Sequence, residues 1–412
     1  MFRKLTMILL GIMPLLGFSQ EIDLLLLNQK YEQAIELINQ KVQTKPSAEL
    51  YFKRSMAYRQ LVNYPAAIEN LNAALSVDPT NITYLTNRAD LYQSIGSSQK
   101  AVADFRRALS LKPNDLLLQY ELGKAYLWVN NYSKAYKEFE KLQAADSTNL
   151  MFNKYSALAA FKAGKYKTAM AWYEKYLLQN PNDLSAYMNL STSYEKSRRL
   201  DKCLETLRIA HNRFPDNRAA HLTYANTAFV GKNYELAQKI YDTFLLKYDT
   251  TFPTLLNQGI CMYHNKHTEV ALEVLELCYS GNPNDVYVNF YLGVCHKRLK
   301  HQELAARYLD FAIHISIPEF HPEMYHHLAQ VYGALREFEK SIAAYKKAYE
   351  LDSRKVEVLF EIATTYEEYN FNKTLALNYY QNYLKEAGER AENANYALDR
   401  IKLLKEDLFF EE

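Results

Sequence analysis

The four cysteines are the first side chains whose chemistry could matter in this chain. Cys203 and Cys278 lie at positions that alanine occupies elsewhere at a regular spacing, and Cys261 and Cys295 share a third such position. Free cysteine often packs as a small buried apolar residue. We therefore expect four buried thiols. A Cys261–Cys295 disulfide between neighbouring helices is the alternative, and it depends on their geometry.

The histidines are the next candidates, because imidazoles are common zinc ligands. They cluster toward the C-terminal half, where six of them are His296, His301, His314, His321, His326 and His327. Their spacing matches no familiar ligand pattern, no cysteine pair accompanies them, and His296 takes a position where tyrosine recurs. We expect no metal site.

Motifs of catalysis are missing from the sequence. It contains no glycine-rich phosphate loop, no HExxH and no GxSxG. Acidic pairs such as Glu367–Glu368 are expected on helix surfaces in contact with water. We therefore do not expect an enzyme, and we expect no cofactor.

The charge of the chain argues against nucleic acid as a partner. Its formal net charge is +2, and Arg3 and Lys4 lie in a segment that we expect to be removed. The remaining chain is close to neutral and lacks the positive excess that nucleic-acid binding needs. Hydrophobic residues make up 49% of the chain, which is enough for a packed core.

The N-terminus has the three parts of a secretory signal peptide. Arg3 and Lys4 form the positive part, Leu5 to Leu16 is apolar, and residues 17–19 offer small residues for cleavage. We predict cleavage after Ser19 and a mature protein in the periplasm or outside the cell, without stable membrane insertion. A retained membrane anchor is the alternative, although the apolar run is shorter than the ~20 residues of a spanning helix.

A period of 34 residues runs through almost all of the remaining chain. An alanine or a near equivalent recurs at Ala67, Ala101, Ala135, Ala169, Cys203, Ala237, Ala271 and Ala305. In register with it, a small residue recurs at Ser55, Ala89, Gly123, Ala157, Ser191, Ala225, Gly259 and Gly293. Several columns that share one period predict stacked copies of a single unit.

Each unit has the pattern of two amphipathic helices joined by a short turn. In one unit apolar residues fall three and four positions apart at Leu122, Ala125 and Tyr126, and then at Ala135, Phe139 and Leu142. A proline closes most units, and the pair of polar residues after it is expected to cap the next helix. These pairs are Asn114-Asp115, Asn182-Asp183, Asp216-Asn217 and Asn284-Asp285.

The pattern Leu122-Gly123-x2-Tyr126, Ala135-x3-Phe139 and a closing proline resembles the tetratricopeptide repeat. The resemblance implies an all-α fold, a right-handed α-α superhelix of about ten helical hairpins plus a C-terminal capping helix. We divide the chain into a signal peptide (1–19), an N-terminal partial repeat (20–47), ten tandem units forming one solenoid (48–388), and the capping helix and tail (389–412). Two additional residues near Pro318 are expected to lengthen a loop rather than bend the stack.

The resemblance also implies a binding face, because in this family the first helix of each hairpin lines the concave side. There the middle units are apolar and the final unit is acidic. Asn189 and Asn257 match a column from which related repeats hold peptide backbone. The candidate partner-binding residues are Tyr120, Trp128, Phe161, Asn189, Phe229, Asn257, Tyr263 and Phe290. Two interpretations of the apolar stripe stay open: core covered by neighbouring first helices, or a hydrophobic groove for a segment of another protein.

Together these features predict a non-catalytic protein–protein interaction scaffold or adaptor of the bacterial envelope, which binds a peptide or partner segment on the concave face and belongs to an envelope complex. A sensory module that binds a small ligand or a glycan in the periplasm is the alternative. Binding of envelope metabolites without any protein partner would favour that alternative.

Overall fold

The computed structural model describes residues 18–248, 250–316, 318–369, 372–388 and 391–411. Over these ranges the chain forms α-helices and one short 3-10 helix, and no strand. The α-helices are α1 Phe18–Leu27, α2 Tyr31–Thr44, α3 Ala48–Gln60, α4 Tyr64–Val77, α5 Ile82–Ser94, α6 Ser98–Leu111, α7 Leu116–Trp128, α8 Tyr132–Ala145, α9 Leu150–Lys162, α10 Tyr166–Gln179, α11 Leu184–Lys196, α12 Leu200–Arg213, α13 Arg218–Val230, α14 Tyr234–Lys247, α15 Phe252–His264, α16 Thr268–Gly281, α17 Val286–Arg298, α18 Gln302–Ile315, α19 His321–Ala334, α20 Phe338–Leu351, α21 Glu357–Glu368, α22 Lys373–Ala387 and α23 Ala394–Glu411.

Twenty of these helices, α3 to α22, pair as ten consecutive helical hairpins. The predicted polar caps are confirmed: Asp115 accepts the backbone N–H of Leu118 at 3.1 Å, and Asp183 accepts that of Ala186 at 3.1 Å. Asn217 and Asp285 cap α13 and α17 in the same way. The all-α helical solenoid predicted from the repeat pattern is therefore confirmed.

The turn inside each of the first nine hairpins, α3 to α20, contains one residue in the left-handed backbone region. The residue has φ between 56° and 74° and recurs as Val62, Gly96, Asn130, Gly164, Arg198, Lys232, Lys266, Lys300 and Arg336. Glycine adopts this conformation without strain, whereas a β-branched side chain such as that of Val62 does not. Gln29, between α1 and α2, has the same conformation, so this first pair also turns like a hairpin.

The chain separates into two compact units, Met1–Arg213 and Phe214–Glu412. In the first unit, α1 to α12, the alanine column is fully buried and the aromatic side chains pack beside it. Gly123 shows why the small column exists: a Cβ at this position would lie 2.8 Å from Cε2 of Phe139, inside the van der Waals distance.

The second unit contains α13 to α23. Its last helix, α23, packs on α22 through Ala397 and Leu404, which are buried with Tyr380 and Tyr383. The two additional residues of the longest repeat lie between α18 and α19, where a 3-10 helix spans Pro318–Phe320. α18 keeps the 14 residues of the other second helices, and α19, also with 14, is only one residue longer than the preceding first helix α17, so the insertion mainly lengthens the connection.

All four cysteines are free and buried, which confirms the prediction of apolar packing, and Cys261 and Cys295 form no disulfide. Burial raises the pKa of the Cys261 and Cys295 thiols to about 12. The predicted signal peptide lies almost entirely outside the described residues, since α1 begins at Phe18. Among the helices of the described ranges, none is both long enough and apolar enough to cross a bilayer.

Candidate functional site

The first helices of hairpins three and four, α7 and α9, contact each other and carry three large exposed apolar side chains. Leu117 is 68% exposed, Trp128 63% and Met151 48%. Leu127, Leu158 and Phe161 lie between or beside them and are half-buried. We call these six residues the apolar patch.

Charged side chains lie at the centre and at one end of the apolar patch. Lys124 and Glu121 form an ion pair of 3.0 Å between its two ends on α7. The Phe161 ring lies 6.1 Å from that of Tyr166, between ring centroids, and 6.0 Å from the Lys162 ammonium. The patch therefore combines exposed apolar surface with a polar centre and a cationic end.

Tyr120, a predicted anchor on the same helix, lies in the core beneath the patch. It is 9% exposed, and its ring centroid is 5.4 Å from that of Tyr155 and 5.9 Å from that of Phe152. Burial holds the pKa of its phenol well above the usual range. For Tyr120 the core interpretation describes the structure, whereas for Trp128 it does not.

The two predicted asparagines point their amides at tyrosines of the preceding hairpin. Asn189 Nδ2 donates to the hydroxyl of Tyr173 at 2.9 Å, and Asn257 Nδ2 donates to that of Tyr241 at 3.1 Å. Both tyrosines are at most 2% exposed. Each amide therefore donates one N–H to a buried hydroxyl of this chain.

Asn87 occupies the same position of the 34-residue repeat as Asn189 and Asn257, but its surroundings in the sequence differ. Asn189 and Asn257 each follow a tyrosine by 16 residues, but the residue 16 positions before Asn87 is Leu71. Asn87 instead donates to the carbonyl of Thr83 at 2.8 Å and accepts from Arg59 at 3.3 Å. A tyrosine 16 residues before the asparagine therefore indicates this hydrogen bond from the sequence alone.

The predicted aromatic anchors of the second unit are half-buried and stacked against their own neighbours. The Arg298 guanidinium lies 3.8 Å from the Tyr263 ring centroid, within cation–π distance. Phe229 lies 6.0 Å from Tyr234, and Phe290 lies 5.7 Å from His327, both between ring centroids. These rings offer less free surface than Trp128.

A polar network across α17, α19 and α21 was not foreseen from the sequence. Lys297 Nζ lies 2.8 Å from Nδ1 of His327 and also contacts Gln330, which donates to Glu361 at 3.0 Å. His326 lies 2.6 Å from the same carboxylate. Burial lowers the pKa of both Lys297 and His327. These side chains come from three repeats and satisfy one another.

The acidic residues of α21, the first helix of the tenth hairpin, also form hydrogen bonds and ion pairs within the chain. Glu357 accepts from the Tyr383 hydroxyl at 2.8 Å and from Asn393 at 2.9 Å. Glu367 accepts from the Tyr380 hydroxyl at 2.9 Å and pairs with Arg400 of α23. Much of this acidic surface therefore holds the last helix in place.

The described side chains include no group of three histidine, cysteine, aspartate or glutamate residues placed to hold a metal ion. The neighbouring rings of His296 and His301 approach to 3.4 Å between their Nδ1 atoms without a third ligand.

Two models of the tetratricopeptide repeat family match the chain, one over residues 52–214 and one over residues 322–355. No curated protein sequence matches significantly. Among solved structures, the APC/C hetero-tetramer Cut9-Hcn1 matches at 13% identity over 94% of this chain and 96% of that chain, with a TM-score of 0.45. A tetratricopeptide repeat protein from Parabacteroides merdae matches at 17% identity over 60% of this chain and 97% of its own, with a TM-score of 0.41. Yeast Tom70 matches at 14% identity over 95% of both chains, with a TM-score of 0.38.

Proteins of this family are generally non-catalytic scaffolds for protein–protein interaction. The two family matches lie in different units of the chain, and the helices between them keep the hairpin arrangement and the 34-residue period. The chain is a tetratricopeptide repeat protein.

Proposed function

We propose that the protein is an exported, non-catalytic scaffold that binds a segment of a partner protein on the apolar patch of its first unit. One observation carries this proposal: Trp128, Leu117 and Met151 are large apolar side chains, and each is about half exposed or more on two first helices that contact each other. Large apolar side chains exposed on neighbouring elements mark candidate interaction sites. Tryptophan is among the residues that most often dominate binding energy.

The dimensions of the apolar patch suit a short helix or an extended segment. Leu117 and Trp128 stand eleven residues apart on α7, which is roughly 16 Å along the helix axis. A partner helix of about three turns covers that length. Its polar side chains would meet the Lys124–Glu121 ion pair at the centre of the patch.

Export to the periplasm or the cell exterior is part of the proposal, and it rests on the charge and apolarity of residues 1–19. The partner is then a protein of the bacterial envelope, and after cleavage the scaffold is not inserted stably in the membrane. Mass spectrometry of the protein purified from its own cells should find Gln20 at the N-terminus. An N-terminus at Met1 in an intact protein would contradict cleavage.

In-cell photo-crosslinking tests the apolar patch. A photoreactive residue replacing Trp128 or Phe161 should crosslink to a defined partner, and one replacing Lys137, exposed on α8, should not. Trp128→Ala combined with Phe161→Ala should abolish partner recovery and leave the helical melt unchanged, because neither ring is in the core. Recovery of the same partner by the double variant would refute the binding site.

The small-ligand or glycan alternative has one observation in its favour. The second unit contains an open cavity of about 620 Å³ between α16, α17 and α18. It is lined by two tyrosines, other apolar residues and a few polar groups: Tyr279, Asn289, Leu304, Arg307, Tyr308, Asp310, Phe311, Ile313 and His314. A thermal shift with envelope metabolites that Tyr308→Ala removes, without any crosslinked partner, would favour this function over the scaffold.

A further inference from the structure

The hairpin turns at one end of the apolar patch are strongly basic. The turn segments of hairpins three to five, residues 128–134, 161–168 and 195–201, contain seven cationic side chains and two carboxylates. We call the seven cations the basic edge; all are exposed, and they are Lys134, Lys162, Lys165, Lys167, Lys196, Arg198 and Arg199. The 34-residue period places these three turns side by side in the first unit.

The cations of the basic edge have no carboxylate partners within the part of the chain that the structure describes. The neighbouring lysines Lys124, Lys141 and Lys202 all form ion pairs of 2.9–3.0 Å. In contrast, Lys134 and Arg199 lie over the rings of Tyr126 and Tyr194, at 5.7 and 5.3 Å from the ring centroids. Their positive charge is therefore not neutralised locally.

Folding makes the basic edge stronger than the composition suggests. Packed helices lie about 8–10 Å apart, so cations on neighbouring turns are separated by about one Debye length at physiological ionic strength. Their potentials add at this separation and attract a polyanionic partner.

A recess lies beside the basic edge. Its volume is about 500 Å³, and it lies between the turns of hairpins three and four. Lys162 and Lys165 form one side of it, and Asn130, Asn131 and Ser133 are among the residues on the other. Trp128 and Phe161 are the first residues of these two turn segments.

We propose that the segment bound by the apolar patch is an acidic polypeptide. Its apolar side chains contact Trp128 and Phe161, and its carboxylates enter the recess beside Lys162 and Lys165. This inference rests on the proposed function and specifies the chemistry of the partner. A polypeptide fits better than a lipid surface, because a flat bilayer does not fill a recess whereas a carboxylate side chain does.

Two labelled peptides of about 18 residues test the inference with the full-length chain. One has leucines three and four positions apart with glutamates at the positions between them, so that it forms an amphipathic helix. The other has glutamine in place of every glutamate. In fluorescence anisotropy at low salt, the glutamate peptide should bind at least about ten-fold more tightly than the glutamine peptide. Raising NaCl to about 0.3 M should remove most of this difference.

Variants of the basic edge separate a local effect from the net charge of the protein. Lys162→Gln, Lys165→Gln and Lys167→Gln together should weaken binding of the glutamate peptide about ten-fold and abolish the preference. The matched control changes three exposed cations on α6 and α8 to glutamine: Arg106, Arg107 and Lys137. It removes the same charge and should leave binding unchanged.

Each remaining outcome decides one of the two proposals. Equal binding of both peptides that Trp128→Ala with Phe161→Ala removes would keep the scaffold function and overturn the acidic partner. Binding that this double variant leaves intact would overturn the patch itself. The acidic-peptide inference also fails if wild-type protein binds neither peptide, or if only vesicles containing phosphatidylglycerol bind in a manner that depends on Lys162, Lys165 and Lys167.

Discussion

At equivalent positions of the repeat, neighbouring hairpins are joined either by a contact between two aromatic rings or by a hydrogen bond between a tyrosine and an asparagine. Where the aromatic column holds Phe139, the next first helix covers it with Tyr155, and the two rings stack at 5.9 Å between centroids. Where the column holds Tyr173, the next first helix supplies Asn189. The hydroxyl and the amide therefore belong together as one buried pair.

Removing the hydroxyl of Tyr173 should be costly. In Tyr173→Phe the half-buried amide of Asn189 loses its acceptor, which should lower the free energy of unfolding by about 1–2 kcal/mol. Urea denaturation followed by circular dichroism measures the change. Adding Asn189→Leu should recover most of the loss, because both polar partners are then gone. Tyr132→Phe, which removes an exposed hydroxyl bonded to Asn130, should change little.

The residue scale is also where the sequence carried the least information. Tyr120 and Trp128 belong to the same set of first-helix positions, yet the first is in the core and the second is exposed. Whether such a residue is buried depends on the side chains of the neighbouring helices. Here Phe152 and Tyr155 of α9 pack against Tyr120. A pattern within one repeat does not contain that information.

The hairpin was far more predictable than its surface, because its determinants are local. Helix periodicity, the polar caps and the turns all lie within one 34-residue repeat. The sequence predicted the capping pairs Asn114-Asp115 and Asn284-Asp285, and the second residue of each pair is the cap. The network of Lys297, His327 and Glu361 was not foreseen, because its members come from three different repeats and none of them is unusual alone.

The left-handed turn position makes a stability prediction for a single hairpin. Val62 has a φ of 58°, which costs a β-branched residue about 1–2 kcal/mol, and Gly96 takes the same place in the next hairpin. Val62→Gly should raise the free energy of unfolding by about 1 kcal/mol, as measured by the urea midpoint. Gly96→Val should lower it by a similar amount or more. A loss of stability in Val62→Gly would show that its side-chain contacts outweigh the backbone strain.

At the scale of the whole molecule, sensitivity to acid should be concentrated in the second unit. Burial lowers the pKa of His264, His296 and His327 below the ordinary value of 6.5. The folded state then binds fewer protons than the unfolded state at acidic pH, so stability is lost as the pH falls from about 6.5. The melting temperature should therefore be lower at pH 5.5 than at pH 7.5.

His296→Tyr tests the origin of that pH dependence. His296 is 5% exposed and stacks on Tyr308 with an interplanar angle of 6°, at a position where other repeats have tyrosine. The variant should fold and should show a smaller loss of melting temperature between pH 7.5 and 5.5. His314→Gln, at an exposed position, should leave the dependence unchanged. Equal pH dependence in both variants would contradict a role for the buried imidazole of His296.

The nearest-neighbour packing of the hairpins has a mechanical consequence. The principal helix contacts within each unit join helices that are consecutive in the chain or first helices of adjacent hairpins. Within each unit, a pull along the chain therefore meets the hairpins in series. Each hairpin that gives way releases 34 residues, or roughly 120 Å of extended chain. Each unit should therefore lengthen stepwise under load, one hairpin at a time.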